Sequence, residues 1–138
     1  MTAREFLNRA YKLDQRINSK LDQVAVLNDL ALKATSTITG MPHNPNKGTS
    51  TMSDTICKIV DLQEEINRDI DALVDIKREI MEVIGHVTDA TSRLILEKRY
   101  INQQSWPEIA VDMKLSLRRL YYLHDRAIDE LEEKNAFS

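Results

Sequence analysis

The sequence predicts an all-α protein. A long antiparallel helical hairpin of coiled-coil type is expected over residues 1–88, followed by a domain of three short helices over residues 89–138. Three observations lead there. Apolar residues recur in steps of three and four over residues 2–38 and again over 52–87. Between them the stretch TGMPHNPNKGTST, residues 39–51, holds Gly40, Pro42, Pro45 and Gly48 and no apolar period, so it reads as a loop. Beyond residue 88 the long period breaks into three short ones, each with its own start or stop signal.

The first long element runs through Phe6, Ala10, Leu13, Ile17, Val24, Leu27, Ala31, Ala34 and Ile38, with Lys20 interrupting one core-type position. A repeat sustained this far favours a coiled coil over an ordinary surface helix. At 1.5 Å per residue it would be on the order of 55 Å long. The second element has Ser53 as its expected cap. Ile59, Ile66, Leu73, Ile80 and Val87 recur every seventh residue, with Ile56, Ile70 and Ile84 as a companion row broken by Gln63 and Lys77. The two stretches differ in charge: residues 1–50 carry +3 and residues 51–87 carry −5. Two such helices joined by one loop should fold back on each other. Leu7, Leu21 and Leu30 on the first stretch and Val60, Leu62, Val74, Ile76, Met81 and Val83 on the second fall off the main seam. That surplus predicts cover from a second copy of the chain or from the C-terminal domain.

Gly85 to Asp89 marks the junction. Thr91 or Ser92 is the expected start of the next helix, with Ile95, Leu96 and Tyr100 facing inward. Asn102-Gln103-Gln104 links it to Ser105-Trp106-Pro107-Glu108. There Ser105 can cap the first free amides, Glu108 can reach back, and proline fits a first turn. Ile109, Ala110 and Met113 supply an apolar face, and Trp106 is expected to join it. After a short break Ser116 caps the last helix, whose apolar positions are Leu117, Leu120, Leu123 or His124, Ala127, Ile128 and Leu131. Leu120 and Leu123 should point inward.

A helix, a tight turn and a longer helix with a basic start is the outline of a helix-turn-helix. Between Lys114 and Arg126, four cations (Lys114, Arg118, Arg119, Arg126) face one acid, Asp125, and Tyr121 and Tyr122 lie among them. Cationic and aromatic side chains on an exposed helix are what phosphates and base edges require. Ser116, Leu117, Arg118 and Tyr121 project from the first turns, toward base edges. Lys114, Arg119 and Tyr122 suit phosphates, and Arg126 completes the cationic set. The net charge of −3 is distributed to fit: residues 88–138 carry −1, but Asp125 and the acids from Asp129 to Glu133 lie toward the far end of the last helix.

The same residues carry a family resemblance. Arg99-Tyr100, Ser105-Trp106-Pro107-Glu108-Ile109-Ala110, Met113-Lys114-Leu115-Ser116 and Arg126-Ala127 resemble, in order, the signature of sigma-70 region 4 domains. Those are helix-turn-helix modules that read promoter DNA beside RNA polymerase. The whole chain is similar to an uncharacterised group of phage and prophage proteins of Gram-positive bacteria, and in layout to late-operon activators of the ArpU type. The resemblance implies a cytoplasmic protein of the bacterial host that binds double-stranded DNA, with RNA polymerase as a further partner. Two positions depart from the pattern. Lys114 stands where the family usually has glycine, and a left-handed non-glycine residue there costs roughly 1 kcal/mol. Lys98 replaces the usual apolar residue before Arg-Tyr.

The remaining chemistry is sparse. One cysteine, Cys57, cannot form an intrachain disulfide, and no stretch approaches the roughly 20 apolar residues that span a bilayer. No signal-peptide core is expected at the N-terminus. His43, His86 and His124 are scattered without metal-ligand spacing, and His124 reads as a surface or phosphate-facing side chain. No nucleophile–base set, phosphate-binding glycine loop or cofactor fingerprint is found. The expectation is therefore a DNA-binding transcriptional regulator of phage or prophage genes. It is not an enzyme, has no cofactor and no metal, and is a homo-oligomer, most simply a dimer, through the hairpin. Two other classes share these features. A small terminase subunit for DNA packaging would form a ring of eight or more. A helical interaction module would show no salt-sensitive DNA binding.

Overall fold

The structure is a computed structural model that describes residues 1–38 and 45–137, with side chains outside 34–51. Every regular element among the described residues is helical: α1 (Ala3–Leu7), α2 (Arg9–Ile38), α3 (Pro45–Ile84), α4 (Ala90–Leu96), a π-helical turn (Glu97–Ile101), α5 (Trp106–Met113) and α6 (Leu117–Lys134). None of these helices is long and apolar enough to cross a membrane. The chain divides into two compact units, one made of Met1–Leu13 with Leu73–Ser138, the other of Asp14–Ala72.

Four local expectations change. The first long helix is broken at Asn8. Thr2 and Glu5 form a reciprocal capping box, so α1 begins as a separate turn before α2. Residues 45–51 of the expected loop are helical, and α3 starts at Pro45, whose fixed φ suits a first turn. The rest of that loop, 39–44, lies outside the described residues. The cap of α4 is Asp89, whose Oδ2 accepts from the Ser92 N–H at 3.0 Å and its hydroxyl at 2.9 Å. These bonds hold the Asp89 carboxyl below the usual carboxylate range. A carboxylate accepting two bonds at a helix start outcompetes the hydroxyls of Thr91 and Ser92.

The fourth change concerns α3. Its inward row is Ile59, Leu62, Ile66 and Asp69 in one unit, continuing as Leu73, Ile76, Ile80 and Val83 in the other. The expected companion row does not pack: Ile56 and Ile70 are 49% and 41% exposed, and only Ile84 is buried. Both companions alternate steps of three and four with the Ile59 row, so spacing does not choose between them. The companion that packs is Leu62, Asp69, Ile76 and Val83, of which Leu62, Ile76 and Val83 were expected off the seam; Ile56 and Ile70 are one residue, about 100° of helix, past it. In the unit Asp14–Ala72, Lys20 on α2 occupies a seam position because it is paired. Its Nζ lies 2.7 Å from Asp69 and 3.5 Å from Glu65. Stripped of its partners, a largely buried ammonium would be strongly destabilising.

The other unit has a closed core. Leu7, Ile80, Ile84, Ile95, Leu96, Ile109, Leu120 and Leu131 are almost wholly enclosed. α1 docks on α6: the Ala3 N–H donates to Glu132 at 2.6 Å, Arg4 pairs with Asp125 at 2.8 Å, and the rings of Phe6 and Phe137 lie 6.1 Å apart.

Candidate nucleic-acid interface

α5 and α6 are set by two serine caps and one left-handed residue. Ser105 Oγ accepts from the Glu108 N–H at 3.3 Å, and Pro107 occupies the first turn. The reciprocal bond from Glu108 does not form, so only half of the expected box is made. α5 ends at Lys114, which adopts φ 55°, ψ 43°. The Leu115 N–H returns to the Ala110 carbonyl at 3.0 Å, closing the helix end as a glycine would. Ser116 then accepts from the Arg119 N–H at 3.1 Å and starts α6. The turn geometry implied by the position of Lys114 is thus present, built on a lysine.

Ile95, Ile109, Ala110 and Leu120 form the apolar centre that joins α4, α5 and α6, with Trp106, Met113, Leu115 and Leu123 packed around it. Lys98, which stands where an apolar residue was expected, reaches Asp112 on α5 at 3.7 Å. The π-helical turn was not foreseen. Its mark is the Asn102 N–H bonding five residues back to Glu97 at 3.0 Å. It lets Arg99 sit 4.7 Å from the centre of the Trp106 ring while donating to the Gln104 carbonyl at 3.0 Å.

His124 is a correction. It is buried, 2% exposed, and unavailable to phosphate. Its Nε2 lies 2.6 Å from the Tyr100 hydroxyl, its Nδ1 3.1 Å from Asp125, and Trp106 meets its ring edge-on at 4.8 Å. The arrangement is satisfied by a neutral ring that donates from Nδ1 to the carboxylate and accepts at Nε2 from the phenol. Burial pushes the His124 pKa down, against the opposing pull of Asp125. Burial likewise raises that of Tyr100. The signal was in the sequence: His124 stands on the inward row with Leu120, Ala127, Ile128 and Leu131.

All eight residues expected to meet DNA are exposed: Lys114, Ser116, Leu117, Arg118, Arg119, Tyr121, Tyr122 and Arg126. They fall into two groups. Lys114, Ser116, Leu117 and Arg118 stand at the turn and the first residues of α6, and Tyr121 follows with its ring edge-on to Trp106 at 5.3 Å. Arg119, Tyr122 and Arg126 form a second cluster. The two guanidinium groups lie 5.2 Å and 5.8 Å from the Tyr122 ring, and Arg126 donates to its hydroxyl at 3.4 Å.

Three of the five acids of α6 are engaged by other groups, while Asp129 and Glu133 are exposed beside Arg119 and Arg126. Asp125 pairs with His124 and Arg4, and the His124 bond, then Arg4, holds its carboxyl low. Glu130 accepts from Lys134 at 3.0 Å and from Thr88 at 2.9 Å, with the same effect on its pKa. Glu132 caps α1.

A family model described as "Protein of unknown function (DUF1492)" matches residues 45–132. The chain belongs to that family. The matched span starts with the first residue of α3 and ends two residues short of the end of α6, so it contains the whole surface just described. No curated protein and no solved structure matches the chain.

Proposed function

We propose that this member of the family is a sequence-specific regulator of phage or prophage transcription. It binds double-stranded DNA with α5, the Lys114 turn and α6 acting as a helix-turn-helix. The reading rests on how α6 distributes its partners. Asp125, Glu130 and Glu132 bond to other parts of the protein, while Lys114 and Arg118 have no partner among the described residues. A helix start that presents unpaired cations and phenols outward, with its nearest acid, Asp125, paired and the remaining acids in its second half, suits a polyanion. The overall charge of −3 does not oppose this, because the acidic excess is concentrated in residues 51–87.

In this reading Ser116, Leu117, Arg118 and Tyr121 enter the major groove. Lys114, Arg119 and Tyr122 hold phosphates, with Arg126 steadying Tyr122. α2 and α3 act as an antiparallel hairpin that joins copies of the chain and sets the spacing of two half-sites. The Lys20–Asp69 pair supports that pairing of the two helices.

Binding of the full chain to a selected site, compared across single-base variants of that site, tests the assignment. Arg118→Ala should cost about 1–3 kcal/mol and relax selectivity at one base pair, whereas Lys114→Ala should weaken all sequences alike and lower the salt slope by about one. Equal losses on every sequence for both variants would overturn the base-reading role of Arg118.

A further inference from the structure

The unit Asp14–Ala72 has two lateral faces that differ in chemistry. One is a groove lined by Ser19, Gln23 and Val26 of α2 and by Lys58, Asp61 and Glu65 of α3. These residues lie one position before the seam residues Lys20, Val24, Leu27, Ile59, Leu62 and Ile66. The positions one after the seam must therefore share the opposite face. On α2 those are Leu21, Ala25, Asn28 and Leu32, preceded by Asn18. On α3 they are Val60, Gln63, Asn67 and Ile70, preceded by Ile56. All are exposed, Leu32 by 67% and Val60 by 46%.

None of these residues is charged, in a chain of which 30% is charged, whereas the groove side carries Lys58, Asp61 and Glu65. Solvent alone does not favour such a face, since a coiled-coil flank that stays wet is normally charged.

We infer that this uncharged face is where a second copy of the chain docks, face to face, to make a four-helix core from two helix pairs. This deepens the oligomeric part of the proposed function. Three features fit a copy of the chain as occupant. A partner must be free of charge at helical spacing over the same length, and this face meets that condition toward itself, as a two-fold interface requires. Asn18, Asn28, Gln63 and Asn67 are amides that both donate and accept, so they can pair with one another without a counter-charge. Such polar positions are the kind that fix register between helices.

Fifteen residues of two adjacent helices span about 22 Å by 20 Å, roughly 440 Å² of flat projection per copy. The total of about 900 Å² is that of a small, reversible interface.

Sedimentation equilibrium of the full chain, without DNA, tests this. The wild type should be a dimer at micromolar concentration. Val60→Glu with Ile70→Glu should raise the dimer dissociation constant roughly 100-fold or more, because each charge is buried unpaired. Val26→Glu with Leu30→Glu, at equally exposed positions on the other side of α2, should change it less than about threefold. Gln63→Arg replaces one polar side chain by another and removes no apolar contact. It should also yield a monomer, with helix content unchanged by circular dichroism. A monomeric wild type, or dissociation by the Val26 pair but not by Gln63→Arg, would overturn the inference. A monomer that still binds DNA selectively would sink the dimer alone. A dimer indifferent to DNA would sink the DNA reading alone.

Discussion

The two compact units of this chain are stabilised in different ways. In Met1–Leu13 with Leu73–Ser138, all or part of six helices meet, and residues such as Ile80, Ile95, Ile109, Leu120 and Leu131 lose all contact with solvent. In Asp14–Ala72 only Ile17 and Ile66 are buried among the described residues, each 5% exposed. The second unit repeats its apolar positions as regularly as the first, yet two helices side by side can shield only one row each. Periodicity predicts which residues face inward; the number of neighbours decides how dry they become. The first unit also adds polar bonds that tie distant segments together: Ala3 to Glu132, Arg4 to Asp125, Tyr100 to His124 and Thr88 to Glu130. In the second, Lys20 with Asp69 and Glu65 links the two helices.

This contrast can be tested by substitution. Leu120→Ala removes a fully enclosed side chain and should cost about 2–5 kcal/mol in urea unfolding, while Val60→Ala, on the open helix pair, should cost well under 1 kcal/mol in a chain kept monomeric by Gln63→Arg. Similar costs at the two sites would mean that the units do not differ as described. Tyr100→Phe should cost about 1–3 kcal/mol, because it leaves the buried Nε2 of His124 without a donor.

The same histidine predicts a pH effect confined to the first unit. Its folded-state pKa lies below the ordinary value of about 6.5, so between the two the unfolded chain holds a proton that the folded chain does not. Stability is complete above about pH 6.5 and declines as pH falls through that window. The lowered carboxyls of Asp89, Asp125 and Glu130 act only further down, below the usual carboxylate values. Urea midpoints at a series of pH values for the wild type and for His124→Leu check this. The slope near pH 6 should vanish in the variant, and its persistence would assign it to another group. The smallest effect expected is a gain. Lys114→Gly relieves a left-handed lysine and should stabilise by roughly 0.5–1 kcal/mol, read as a rise in unfolding midpoint.

Much of the fold was legible because it depends on local chemistry. Ser105 and Ser116 cap the helices they were expected to cap, and Lys114 takes the left-handed conformation that its place in the turn demands. The inward rows through Ile95, Leu120, Ala127 and Leu131 follow their spacing. What escaped has non-local causes. The break at Asn8 arises where α1 docks on α6 through Ala3 and Arg4. The π-helical turn has no composition of its own; it goes with Arg99 reaching Trp106. On α3 the row of Ile59, Ile66 and Leu73 alternates threes and fours equally well with Ile56, Gln63 and Ile70 or with Leu62 and Asp69. The second companion packs, and its one charged member, Asp69, is paired with Lys20 of α2. The site was legible as a set of exposed residues. Its division into an open group at the turn and an Arg119–Tyr122–Arg126 cluster needed coordinates.

The most direct test of the central claim is binding of the full chain to random duplex DNA and to fragments of its own genomic neighbourhood, at two salt concentrations. Tight, salt-sensitive binding to one fragment over random DNA is the predicted result, with the preference lost in Arg118→Ala. No binding at low salt would contradict the account and leave the exposed cations of α6 without the role given to them.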